Sequence, residues 1–316
     1  MGRNVSYSLR QLEYLVAVAE QGTTSGAAEQ CRISQSAVSL AIGNLERSLE
    51  VQLFLRGGRG LTPSDAGKAV LATARRLLEQ AETLQNDARS RGERLSGRLV
   101  VGCIPALSRP LLPTVLREFP LQHPEVEIDV LEGRNDEVHA WLLEGRCEIA
   151  LAYDLGESAP FRRTTIYRCQ PHVLLPPGHR LADAAEVTLS DLHDDPLIMH
   201  GVPTACSYYR QLFWAAGIEP RPRHRTITYE SARALVNAGA GYTLLMHHQM
   251  APEPTVPLRH RTGGLPVVIS VPARAQPTRR ARAFEAFALT VLAARAAGDS
   301  GGGTEGGDGP DLGVVT

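Results

Sequence analysis

The chain has 316 residues, a length that suits about two domains rather than one. Hydrophobic residues make up 43% and charged residues 21%, with a formal net charge of −1; this excludes a uniformly basic coat protein but still permits a local basic surface. No run of 18 uncharged apolar residues occurs, which excludes a transmembrane helix, and the first dozen residues lack the apolar stretch of a signal peptide, so a cytoplasmic chain is expected.

In chain order, Leu9, Leu12, Val16 and Ala19 share one face at helical spacing. Gln21 to Ser25 interrupts the pattern and offers caps for a second helix over roughly 25–31. Ser34 can cap a third helix, with Val38, Ile42, Leu45 and Leu49 as its inward stripe. Val51 to Leu55 reads as a strand, Gly57 to Gly60 as a hairpin tip, and Leu61-Thr62 as the return. One long helix is expected over 64–91, about 40 Å at 1.5 Å per residue. No core for it to lie on is evident, and its persistent apolar stripe favours pairing with a second copy over a solvated linker.

From Gly97 strands and helices alternate. Strands are expected at 98–103, 126–130 and 148–153, with helices at 107–119 and 137–143. The pattern restarts with strands at 164–167 and 172–175, helices at 206–216 and 230–238, strands at 242–246 and 266–271, and a last helix at 278–297. The alternation argues for a parallel α/β sheet in two lobes, with the final strand and helix returning to the first lobe. Residues 298–316 are Gly-rich and nearly devoid of apolar side chains, so a disordered tail is expected.

Residues 23–46 carry the functional signal. Ala27 and Ala28 let the second helix pack closely on the third, which leaves Gln35, Ser36, Ser39, Leu40, Gly43, Asn44 and Arg47 outward. Glutamine can read adenine in the major groove, and Ser and Asn can hold phosphates, so this helix suits base recognition. A three-helix bundle with an ordinary polar exterior is the competing reading. The hairpin that follows makes a wing, with Arg56 and Arg59 near its tip for phosphates or the minor groove. Candidate DNA-binding residues are Thr24, Ser34, Gln35, Ser36, Ser39, Asn44, Arg56 and Arg59.

These residues resemble the LysR-type transcriptional regulators. The likeness is carried by Leu9-Arg10-Gln11-Leu12 with Val16, Ala27-Ala28-Glu29, Ser34 to Ser39, Ile42 with Leu45-Glu46, Leu53-Phe54 with Arg56, and Leu61-Thr62 with Ala66-Gly67. Further on it is carried by Gly97-Arg98-Leu99, Leu111-Leu112-Pro113, Phe119 with His123-Pro124, Leu143 with Gly145, and Val236 with Gly239 and Gly241. The resemblance implies an α/β protein with an N-terminal winged helix-turn-helix (1–63), a linker helix (64–94), and a two-lobed effector domain like periplasmic binding proteins (95–297). Lobe one would take about 95–157 plus 265–297, and lobe two about 158–264. It implies partners: promoter DNA with an interrupted palindrome, a small-molecule effector, further copies of the chain as dimer or tetramer, and RNA polymerase. Thr24, Cys31, Leu40 and Gly43 depart from the family pattern, and Leu40 stands where a basic residue is common.

An effector between the lobes would meet strand ends and helix N-termini. Candidates are Pro105, Ala106, Ser108, Arg134 and Asn135 from the first lobe and His200, Pro203, Thr204 and Tyr229 from the second. Ordinary strand–helix connections are the alternative for each. The cysteines Cys31, Cys103, Cys147, Cys169 and Cys206 are odd in number and lack Cys-x-x-Cys, so no disulfide framework or zinc site is expected. Cys103 and Cys206 fall in facing loops, which leaves a switch by cysteine oxidation as an alternative. Gly298 to Gly302 matches a serine-nucleophile motif but sits in the Gly-rich tail, without a base or scaffold. No glycine-rich nucleotide motif occurs, so neither an enzyme nor a cofactor is expected. A solute-binding protein would share the two lobes but not the N-terminal helices.

Overall fold

Ser8 starts the first helix with a reciprocal cap: its Oγ accepts from Gln11 N at 3.3 Å, and its own N–H donates to Gln11 Oε1 at 2.9 Å. This computed structural model describes residues 7–57, 60–89, 94–156, 160–201, 203–247, 255–273 and 277–299. Helix α1 (Leu9–Gln21) ends at Gly22, whose φ of 66° supplies the left-handed turn. Thr23 caps α2 (Thr24–Cys31) and Ser34 caps α3 (Gln35–Leu49). Val38, Ile42 and Leu45 are buried as their spacing requires, in one cluster with Leu12, Leu15, Val18, Ala27 and Ala28.

Strands β1 (Phe54–Gly57) and β2 (Gly60–Pro63) form the antiparallel wing. The strand starts later than the expected Val51 because the Leu53 N–H is taken by the Glu46 carboxylate at 2.7 Å instead of a ladder carbonyl. The Leu61 N–H donates to the Gly22 carbonyl at 2.7 Å and fixes the wing against the turn after α1.

Helix α4 (Asp65–Arg89) follows. Contrary to the expectation of a helix without a core, Leu71 and Ala74 are buried in the α1–α3 cluster, with Val70, Leu77 and Leu78 packed against it. Its first half is the fourth helix of the N-terminal domain. Gly67 allows this approach, since a Cβ there would lie 2.0 Å from the Leu53 carbonyl oxygen. Lower down, Arg75 Nη1 donates to the Glu144 carbonyl at 3.0 Å.

The remainder builds β3 (Ser96–Cys103), α5 (Pro105–Gln122), β4 (Glu125–Glu132), α6 (Asn135–Leu143), β5 (Ile149–Tyr153), β6 (Phe161–Leu174), β7 (Leu197–His200), α7 (Pro203–Ala215), β8 (Pro222–Thr226), α8 (Tyr229–Asn237), β9 (Thr243–His247), β10 (Val256–Pro257), β11 (Leu265–Pro272) and α9 (Arg279–Asp299). The main sheet runs β10-β6-β11-β5-β3-β4, with β9 also on β6. It is mixed rather than all parallel: β3 pairs in parallel with β4 and β5, while β11 is antiparallel to β5 and β6. The two expected strands at 164–167 and 172–175 are one 14-residue strand, β6. Its first part pairs with β11 and its last part with β9, so it belongs to both lobes. The parallel pair β7–β8 was not expected. Helix α9 returns to the first lobe, where Phe284 and Phe287 meet Phe119 of α5 at ring distances of 5.3 and 5.5 Å. It runs to Asp299, beyond the expected 297, so residues 298 and 299 of the expected tail are helical; 300–316 lie outside the described residues.

Three carboxylates converge on Arg280, which is only 4% exposed, where α4 meets the second half of the chain. Arg280 Nε lies 3.1 Å from Glu148, and Nη2 lies 3.6 Å from Glu79 and 3.8 Å from Glu82. Thr278 Oγ1 donates to the other Glu148 oxygen. Burial, with the neighbouring Glu148, pushes the Glu79 carboxyl up to about 9 against the pull of Arg280.

Candidate nucleic-acid interface and effector cleft

The inward stripe of α3 leaves Ser36, Ala37, Ser39, Leu40 and Arg47 exposed. Gln35 is held in place: its Nε2 donates to Thr24 Oγ1 at 2.9 Å and Ser39 Oγ at 3.0 Å. Three expected residues from two helices therefore form one polar cluster. Ser34 is occupied as the cap, accepting from Ala37 N at 3.2 Å, and its Oγ lies 3.0 Å from that of Ser36. Asn44 Oδ1 accepts from the Arg47 guanidinium, whose Nε also donates to the Gly43 carbonyl. Arg56 is exposed on β1, and Arg59 lies outside the described residues. Sequence reading missed Glu46, which ties α3 to the wing through the N–H groups of Leu53 and Phe54. Its signal was its place beside Leu45 among the residues that carry the family resemblance.

The effector candidates divide. Pro105 and Ala106 open α5 and are exposed. Ser108 is buried, its Oγ donating to the Pro105 carbonyl at 3.3 Å. Arg134 is engaged by Asp136 at 2.7 Å, an ion pair that raises its pKa. Asn135 is 8% exposed; its Oδ1 accepts from Tyr153 N at 2.9 Å, and its Nδ2 has no hydrogen-bond partner among the described residues. His200 Nε2 donates to the Leu244 carbonyl at 2.8 Å, which leaves Nδ1 as the acceptor side of the ring. Burial lowers the His200 pKa and favours the neutral form. Its ring lies 5.5 Å from Tyr209 and 5.7 Å from Tyr229. Pro203 and Thr204 stand in the first turn of α7, with side chains outside the described ones.

An ion pair that sequence reading missed spans the lobes: Arg109 Nη1 in α5 lies 2.6 Å from Glu230 Oε1 at the start of α8. It joins the N-terminal part of α5 to the first turn of α8. No sequence pattern marked this pairing, because its partners are far apart in the chain.

Three of the thiols are sheltered. Cys103, Cys147 and Cys169 are buried, and burial raises all three pKa values, to about 12 for Cys147 and Cys169. The Cys206 side chain lies outside the described ones. Among the described residues no three His, Cys, Asp or Glu side chains cluster as a metal site would, and no helix is long and apolar enough to cross a membrane.

Comparison with known proteins follows the same division. Residues 9–68 match the family model "Bacterial regulatory helix-turn-helix protein, lysR family", and residues 92–293 match "LysR substrate binding domain". A hydrogen peroxide-inducible genes activator from Dickeya chrysanthemi is 30% identical over 239 residues, 75% of this chain and 78% of that protein. A full-length OxyR variant from Pseudomonas aeruginosa superposes with a TM-score of 0.70 at 23% identity, covering 90% of this chain and 94% of that one. Full-length CbnR, solved with its target DNA, gives 0.62 at 23% identity, covering 90% and 99%. The N-terminal winged helix-turn-helix and the two-lobed domain behind it thus belong together as one regulator, and the chain is a member of the LysR family of DNA-binding transcriptional regulators, with an effector-binding domain.

Proposed function

We propose that the chain works in the cytoplasm as a non-enzymatic regulator. Its dimers set two α3 helices into major grooves of an interrupted palindrome, and a small effector between the lobes changes how those dimers assemble. The observation that carries the DNA half is the α3 face itself. Gln35 is pre-positioned by Thr24 and Ser39, so little side-chain freedom remains to be lost on binding a base. Arg56, exposed on the wing that Glu46 ties to α3, would then hold phosphate. The effector half rests on the N-terminal parts of α5 and α8, joined by Arg109–Glu230, with the buried amide of Asn135 as a donor. The relatives' name suggests peroxide sensing, but the buried Cys103, with its raised pKa, suits a packing role better than a thiol switch.

The test is titration of duplexes, selected from a random pool, with the full chain at several salt concentrations. Arg56→Ala should weaken binding to every duplex alike and reduce the salt slope by about 1. An unchanged slope would remove Arg56 from the interface. A metabolite panel that never shifts the melting temperature of the full chain would count against the effector half.

A further inference from the structure

The α3 face holds one feature that neither its fold nor its polar cluster uses. Leu40 is 63% exposed and is not part of the N-terminal hydrophobic cluster. It lies two residues from both Val38 and Ile42, which puts it about 200° around the helix from the buried stripe. Its neighbours one turn away are small: Ser36 and Ala37 before it, Gly43 after it. The larger Asn44 is drawn away by Arg47. Leu40 therefore stands as a lone apolar knob in the middle of the outward face.

Gly43 supplies the independent observation. A mid-helix glycine costs helix stability relative to alanine. Among the described residues no packing reason for it exists, because a Cβ at Gly43 would meet nothing within 4 Å. Its φ lies outside the left-handed region, so no turn requires it either. Whatever the absent side chain makes room for therefore lies outside the described residues. The open notch adjoins the knob on the face that, under the reading above, enters the groove.

We propose that Leu40, with the notch at Gly43 beside it, reads the C5-methyl group of a thymine in the major groove. An apolar side chain is the chemical match for that methyl, which no other base presents. The notch lets the helix backbone approach closely enough to exclude water from the contact. Specificity at this position then comes from burying a methyl group rather than from a bidentate hydrogen bond.

The proposal rests on the DNA-binding reading, and its test separates the two. The full chain selects duplexes from a random pool, and each thymine of the selected site is then replaced in turn by deoxyuracil, which lacks only the methyl. One thymine per half-site should respond, with about a fourfold loss of affinity, the ratio that burying one methyl supplies. Leu40→Ala should bind the thymine and uracil duplexes alike. Gly43→Ala should melt at higher temperature yet bind the selected site several-fold more weakly, a split that a merely structural glycine would not give. If the chain binds its site but no thymine responds, or Leu40→Ala keeps the uracil penalty, the proposal falls and the DNA-binding reading stands. Unchanged affinity in Gly43→Ala removes the notch. A chain that binds no duplex from the pool overturns both.

Discussion

Replacing Glu79 by glutamine tests the junction around Arg280. Glu79, Glu82 and Glu148 surround one guanidinium. Burial disfavours the charged form of Glu79 most, and hydrogen bonding to and repulsion by Glu148 add to it; for scale, two like charges about 4 Å apart repel by about 4 kcal/mol at an effective dielectric of about 20. That corresponds to about three pKa units, the same direction and order as the displacement of Glu79 to about 9. Since the folded pKa lies above the usual value, the stability held by this carboxyl is complete below about pH 4.5 and is lost as pH rises through about 9. Glu79→Gln imitates the protonated form at every pH. Wild type should therefore lose stability relative to the variant between pH 5 and 9.5, by an amount on the order of 4 kcal/mol. This is about 10 °C in melting temperature for a domain of this size. Trp141 reports on the junction loop, because the Arg146 guanidinium lies 5.2 Å from its ring centroid. The other tryptophan, Trp214, is 64% exposed and can be replaced by phenylalanine. Melting curves followed by Trp141 fluorescence that run parallel with pH in both proteins would refute the raised Glu79 pKa as the source of the pH dependence.

Gly67→Ala should destabilise the N-terminal domain by about 1–3 kcal/mol or more, because its Cβ would strike the Leu53 carbonyl; an unchanged melting temperature would show that α4 can move away without cost. Under native conditions at pH 8, Cys103, Cys147 and Cys169 should resist iodoacetamide and become labelled only in denaturant, as counted by mass spectrometry. Labelling of Cys103 without denaturant would restore the thiol-switch reading.

The elements legible in the sequence were those whose burial is local. The stripe Val38, Ile42, Leu45 fixed the inward face of α3, and the cap at Ser34 marked its start. What escaped depends on partners distant in the chain. The α4 stripe was visible, but nothing in it said that α1 would cover its first half. Strand β8, Pro-Arg-His-Arg-Thr, carries no apolar residue and exists because β7 lies beside it. Strand β6 was read as two pieces because Arg168 to Pro171 interrupts the alternation. There, pairing with β9 and β11 outweighs the local pattern. In the cleft, residues at strand ends and helix starts were found by position, whereas Arg109 and Glu230 gain their role only from meeting each other across the lobes.

The unbroken course of β6 constrains how a signal can cross the molecule. A hinge needs a few residues free to change φ and ψ, but the backbone of β6 is tied to β11 in one lobe and to β9 in the other. The lobes are joined by a ribbon rather than a pivot. Motion that leaves these hydrogen bonds intact is twist along the strand, so an effector would act by rotating one lobe against the other rather than by opening a jaw. The far end of that torsion bar is β11, whose chain leads into α9 and Arg280. A small rotation in the cleft would therefore reach the helix that carries the DNA-binding domain.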